Sequence, residues 1–114
     1  MYKIRTTQLF DKRFANLKKI FDLTDDEARD AIESLKYTML LLQQYGKLPH
    51  NDDNSNDPNG PYYDHKLTDE PWSGFNEYHI LGDLLVVYYK VESKQTIRFT
   101  TITTHKDLRH GNLN

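Results

Sequence analysis

Cysteine is absent from this chain of 114 residues. That removes a disulfide framework, a thiol nucleophile and a thiolate zinc site at once, and it fits a reducing compartment. Long apolar runs are missing too: no stretch approaches the ~20 residues that span a bilayer, and the opening MYKIRTTQLFDKRF lacks the apolar segment of a signal peptide. The expectation is a cytoplasmic chain with no membrane partner. Nor is there a basic excess, the formal net charge being -2 with a pI of about 6.2. The charges are nevertheless segregated. Residues 1–24 sum to +4 and residues 93–114 to +3, whereas residues 51–92 sum to -7. If the two basic ends meet in space they form a phosphate-attracting patch that the whole-chain balance conceals; the alternative is ordinary solvated faces.

What is present reads as one α+β domain over residues 1–114, long enough to bury roughly two-thirds of the surface its unfolded chain exposes. Tyr2 to Thr6 alternates weakly, as a first strand would. From Thr7 to Phe21, Phe10, Phe14, Leu17 and Phe21 recur at helical spacing. A second helix opens with Thr24 and Glu27 at capping-box spacing, carries Asp25 and Asp26 in its positive first turn, and continues through Ala28, Ile32, Leu35, Met39 and Leu42 to Gly46. Two helices joined by a short turn predict a helical hairpin whose apolar stripes face a core. Residues 49–61, PHNDDNSNDPNGP, contain no apolar side chain and read as a flexible acidic surface loop, with His50 solvated. Beyond them the period changes to two. Phe75 to Ile80, Leu84 to Val91 and Thr96 to Ile102 read as three antiparallel strands, with Tyr62 to Leu67 as a lead-in. The doubly apolar Leu84-Leu85-Val86-Val87-Tyr88-Tyr89 belongs at the centre of the sheet, with the helix pair on one face.

The polar residues are individually weak signals. Trp72 at a strand start is more simply a core plug than a base-stacking platform. His79 stands four residues before Asp83 across a tight turn, where a carboxylate would orient or charge the imidazole. His65 and His105 lie at a strand lead-in and a strand exit. Three antiparallel strands allow these positions to converge at one end of the sheet. The histidine spacings contain no helical i, i+4 pair and no Cys partner, so the metal reading is none. Neither Ser73 nor Ser93 sits in a Gly-x-Ser-x-Gly elbow, which removes the serine-triad reading.

Taken in order, Asp64-His65-x-Leu67, Trp72-x-Gly74-x4-His79-x3-Asp83-x4-Tyr88 and Arg98-Phe99-x4-Thr104-His105 resemble the YafQ branch of the RelE superfamily of bacterial toxins, as does the helix pair followed by Leu48-Pro49. The resemblance covers nearly the whole chain. It implies a small antiparallel sheet with a helical hairpin packed against it, and an endoribonuclease of a type II toxin–antitoxin pair that cuts mRNA in the ribosomal A site. The positions matching that family's functional residues are His65, His79, Asp83 and His105.

Cleaving RNA through its own 2′-hydroxyl needs a base, an acid for the leaving 5′-oxygen, and donors on the phosphorane; histidines titrate near neutrality and serve the first two roles. His105 is assigned as the acid, His79 or His65 as base or phosphate contact, and Asp83 as the partner that orients an imidazole. The family commonly has a second arginine three residues after Arg98, where this chain has Thr101, so Arg98, with Lys106 and Arg109, is the expected phosphate-binding set. Simple alternation places Arg98 on the face opposite Thr101 unless a bulge re-aims it. The resemblance further implies a cognate antitoxin lying over the sheet or cleft, favoured by an acidic segment, and no cofactor. Two other classes share the fold: a ParE-like topoisomerase inhibitor, which lacks the histidine set, and a catalytically silent antitoxin-binding module.

Overall fold

The computed structural model of the chain describes residues 1–48, 62, 64–68 and 70–109, the last by its backbone alone. The acidic loop 49–61, and His50 within it, lie outside the described residues. The elements run β1 (Lys3–Thr6), α1 (Gln8–Ala15), α2 (Leu17–Ile20), α3 (Asp25–Tyr45), β2 (His65–Lys66), β3 (Asn76–Leu81), β4 (Leu84–Val91), β5 (Thr96–Thr104) and α4 (His105–Arg109), with a 3-10 turn at Glu92–Lys94 before β5. The five strands form one sheet in the order β1-β5-β4-β3-β2. The apolar run 84–89 is central, as its two-sided hydrophobicity demands.

The sheet is mixed where an antiparallel one was expected. β1 pairs parallel to β5, Lys3 opposite Thr96 through Thr6 opposite Phe99. The helices and three strands that separate them in sequence supply the long crossover a parallel pair requires. The chain's two basic ends thereby become neighbours.

The expected first helix breaks in two at Asn16. Thr7 caps α1 by accepting from the Phe10 N–H at 3.0 Å and donates its hydroxyl to the Thr100 carbonyl at 2.6 Å. At Asn16 the backbone leaves helical geometry (φ -121°, ψ 27°), and the side-chain amide donates to the Lys12 carbonyl at 2.9 Å. A short amide competing for backbone partners is a common way for a helix to end. The break lets α1 lie on β5 while α2 turns to meet α3, where Lys18 and Asp25 pair at 2.6 Å.

α3 forms as its sequence dictates. Thr24 and Glu27 make both halves of the capping box, and Gly46 ends the helix in the left-handed region at φ 72°. Its buried face is Ala28, Ala31, Leu35, Thr38 and Leu42, rotated slightly from the expected stripe, since Ile32 and Met39 are only half-buried. The reason is a polar contact in the core: Thr38 Oγ1 lies 2.8 Å from the hydroxyl of fully buried Tyr78 on β3. Burial pushes the Tyr78 phenol far above its ordinary range, so it stays neutral there.

The helices cover one face of the sheet, burying Phe10, Leu17, Leu35, Leu42, Tyr78, Val86, Tyr88, Ile97, Phe99 and Ile102. A smaller cluster on the other face joins Leu85 and Val87 to Trp72 and Leu108. The C-terminal helix α4, for which periodicity gave no signal, closes that face because the Trp72 indole N–H donates to the Leu108 carbonyl at 3.1 Å. Trp72 is a core plug.

Gly46 is required twice over, by its positive φ and by the ring of Tyr2, whose Cε1 would lie 2.3 Å from an added Cβ. Gly46→Ala is expected to destabilise the fold by more than about 1 kcal/mol, measured as a lower midpoint in denaturant unfolding with an unchanged slope; wild-type stability would disprove this account of the helix terminus.

Candidate active site

The site is built on the sheet face opposite the helices. Cross-strand partners share a face, so the register His65–Glu77–Val87–Thr101 makes one row and His79–Leu85–Thr103 the next. Buried Leu85, Val87, Thr101 and Thr103 form the floor. His65, Glu77 and His79 stand on it.

An extra residue in β5 decides the geometry at the other end. The register shifts so that Val87 opposes Thr101 while Tyr88 opposes Phe99, leaving Thr100 as a bulge. Ile97, Phe99 and Ile102 therefore all reach the helix-side core, whereas Arg98, Thr101 and Thr103 share the site face. The simple alternation that separated Arg98 from Thr101 does not hold, because the bulge resets it. Arg98 is exposed and donates to the Tyr89 hydroxyl at 3.3 Å.

β5 ends at Thr104, and α4 begins with His105, whose ring meets that of His79 edge-on at 5.1 Å between centroids. Asp83 binds His105, not its sequence neighbour His79. The two-residue Gly82-Asp83 connection, with Gly82 at φ 49°, projects the carboxylate toward the sheet end where β5 exits, and Asp83 Oδ1 lies 2.5 Å from His105 Nδ1. That hydrogen bond holds the Asp83 carboxyl below the usual carboxylate range, so it remains ionised. An Nδ1–H given to a carboxylate leaves Nε2 as the His105 nitrogen for chemistry.

His79 sits in the opposite electrostatic setting. Burial, and then the proximity of His105, lower its pKa from the ordinary value, which keeps it neutral near pH 7. His65 is held by Glu77, with Nε2 to Oε1 at 3.1 Å. Its neighbour Asp64 turns to the helix side, where buried Tyr88 donates its hydroxyl to both carboxylate oxygens at 2.8 Å. The Asp-His pair at 64–65 thus anchors one residue and presents the next.

Sequence reasoning missed Glu77, which is only 4% exposed. The available signal was its place two residues before His79, on the same strand face. Glu77, His79 and His105 offer ligand atoms within 4.8 Å of one another, the one set among the described residues able to hold a metal ion. A cavity of about 260 Å³ lies beside His65, walled by Leu67, Trp72 and Leu108. Lys106 is exposed on α4, and the Arg109 side chain lies outside the described residues. The structure brings His79, Asp83 and His105 together, joins His65 to them through Glu77, and sets Arg98 farther along the same face.

Comparison with known proteins agrees with this architecture. The model of the family described as YafQ, bacterial toxin of type II toxin–antitoxin systems, matches residues 2–110. Among solved structures, YafQ from Escherichia coli BL21(DE3) superposes with a TM-score of 0.63 at 23% identity, over 95% of this chain and 98% of that one. The E. coli DinJ–YafQ complex gives 0.64 at 25% identity over 95% and 98%, and a metal-bound toxin from Helicobacter pylori gives 0.65 at 25% over 95% and 99%. No curated protein sequence matches significantly.

The His79 imidazole should be recognisable by its titration. In proton NMR the His79 ring is expected to titrate below the ordinary ~6.5, and His105→Gln should raise its midpoint only part of the way, because burial is the larger cause. As pH falls through that range the unfolded chain takes this proton before the folded one, so the stability contribution of His79 is lost toward acid. A His79 midpoint at or above the ordinary value would refute the assignment.

Proposed function

The chain belongs to the YafQ family of bacterial toxins of type II toxin–antitoxin systems, and from that premise we propose that it is an endoribonuclease that cuts mRNA in the ribosomal A site by histidine acid/base chemistry. The observation that carries the reading is the His79–His105 ring pair with Asp83 on the outer nitrogen of His105. A neutral imidazole beside one whose Nδ1 is held by a carboxylate is a pair able to supply a base and an acid.

In this mechanism neutral His79 takes the proton of the ribose 2′-hydroxyl as its oxygen attacks the adjacent phosphorus. His105, oriented by Asp83, gives the Nε2 proton to the leaving 5′-oxygen. The P–O5′ bond breaks, leaving a 2′,3′-cyclic phosphate and a 5′-hydroxyl, and no electron transfer is involved. His65, locked to Glu77, lies in the adjacent row as a donor to the phosphate oxygens. Arg98 is four β4 residues, roughly 13 Å at ~3.3 Å per residue, from the His79 row; it binds flanking backbone and does not replace a transition-state cation at Thr101. Lys106, in the first turn of α4, adds positive charge beside His105.

A toxin of this kind is held by a cognate antitoxin, as YafQ is by DinJ in the E. coli complex. An acidic segment laid over the site face would meet the histidines and arginines together. The H. pylori relative is metal-bound; Glu77, His79 and His105 are the residues that would receive an ion here.

His105→Ala is expected to lower cleavage by ~10²–10⁴ while the chain still folds and still binds its antitoxin. Mapping mRNA 5′ ends after expression without antitoxin tests this. Undiminished cuts inside translated codons would overturn the catalytic assignment, and DNA damage without RNA cuts would place the chain with the ParE-like class.

A further inference from the structure

One charged surface on the site face has no place in the acid/base chemistry. Arg5 on β1 stands directly opposite Arg98 on β5 in the parallel register, and Lys3 opposite Thr96. Ile4 packs against the helix-side core opposite Ile97, so Lys3 and Arg5 face the other way, onto the side that carries the histidines. All three cations are exposed. None of them forms a salt bridge among the described residues.

Like charges on directly opposed sheet positions destabilise the pairing, and strand neighbours lie only about 4.8 Å apart. The juxtaposition is therefore unfavourable until an anion joins it. In the same row as Arg5 and Arg98 stands an aromatic ring. Tyr89, opposite Arg98 and half-buried, accepts from its guanidinium and packs edge-on against Phe75 at 5.3 Å. Tyr89 on β4, Arg98 on β5 and Arg5 on β1 thus make one row across the face, and the imidazoles stand farther along it.

We propose that this strip is a track for single-stranded RNA, with Tyr89 stacking a base and Arg5, Arg98 and Lys3 gripping the phosphates that flank the cleavage point. It rests on the nuclease reading and adds where the substrate lies. Flexible RNA suits the strip because bases stack on a ring irrespective of sequence while a cationic groove follows the backbone. A duplex would hide its bases from Tyr89. The strip draws on both basic ends of the chain, which is how an overall acidic protein presents a local anion-binding surface.

The test is the salt dependence of binding of a short fluorescent single-stranded RNA, measured by anisotropy in a His105→Gln background so that the probe survives. Each phosphate contact removed should lower the slope of log K against log salt by about 0.7, so Arg5→Gln with Arg98→Gln should lower it by about 1.4. Tyr89→Ala should weaken binding roughly 5- to 150-fold with little change in slope, and Tyr89→Phe should restore it. An unchanged slope in the folded double variant overturns the proposal. So does a double variant that keeps RNA affinity and loses antitoxin affinity, which would make the strip a protein-binding surface. A lowered slope combined with full mRNA cleavage by His105→Ala would keep the track and reject the catalytic reading.

Discussion

A single inserted residue in the last strand holds this architecture together. Ile97, Phe99 and Ile102 must all enter the helix-side core, yet their spacing of two and then three is incompatible with an unbroken strand. The bulge at Thr100 resolves the conflict by absorbing the odd residue. Its consequence lies on the other face. Arg98, Thr101 and Thr103 come into one line, and β5 ends where His105 meets both His79 and the Asp83 carboxylate. Moving the bulge by one residue would send either Ile102 or Thr101 to the wrong side.

The remaining constraints converge on the same corner. Arg13, almost fully buried on α1, donates to the Ile102 carbonyl at 2.6 Å, three residues before His105. Trp72 ties α4 back to the sheet through Leu108. His105 is thus fixed from the helix layer by one hydrogen bond and from the opposite layer by another. Tyr88 on the central strand anchors Asp64, and with it the short β2 that presents His65. A site drawn from four elements remains geometrically defined because each element is held in the core by a group that takes no part in chemistry. Placing catalytic groups on rigid strands with their own supporting contacts is what makes such definition possible.

The electrostatics follow the same division. Acidic residues dominate residues 51–92, yet those at the site are engaged, Asp83 on His105 and Glu77 on His65, and Asp64 is bound to Tyr88 on the other face. Their charge is spent locally on orienting rings. The cations of the two termini meet on the same face through the parallel β1–β5 pair. Whole-chain charge therefore says little about the potential a substrate would meet.

Much of the fold was legible because local chemistry dictates it. The capping box and Gly46 bounded α3, the apolar run 84–89 declared itself central, and the ordered spacings from Asp64 to His105 pointed to a family that the fold comparison matches. Other features were not legible, the parallel β1–β5 pair and α4 among them, and three show that the reason lies in packing. The first helix breaks at Asn16 because α1 must follow β5 while α2 turns to α3. Asp83 chooses His105 over His79 because the hairpin projects it toward the exit of β5, where His105 follows 22 residues downstream. Glu77 and Arg5 gained significance only from partners across the sheet, His65 and Arg98, that alternation alone could not name. Residue types and their order determined which side chains are capable of acid/base chemistry. Strand register and one bulge, set by the need to bury two incommensurate apolar rows, decided which of them meet.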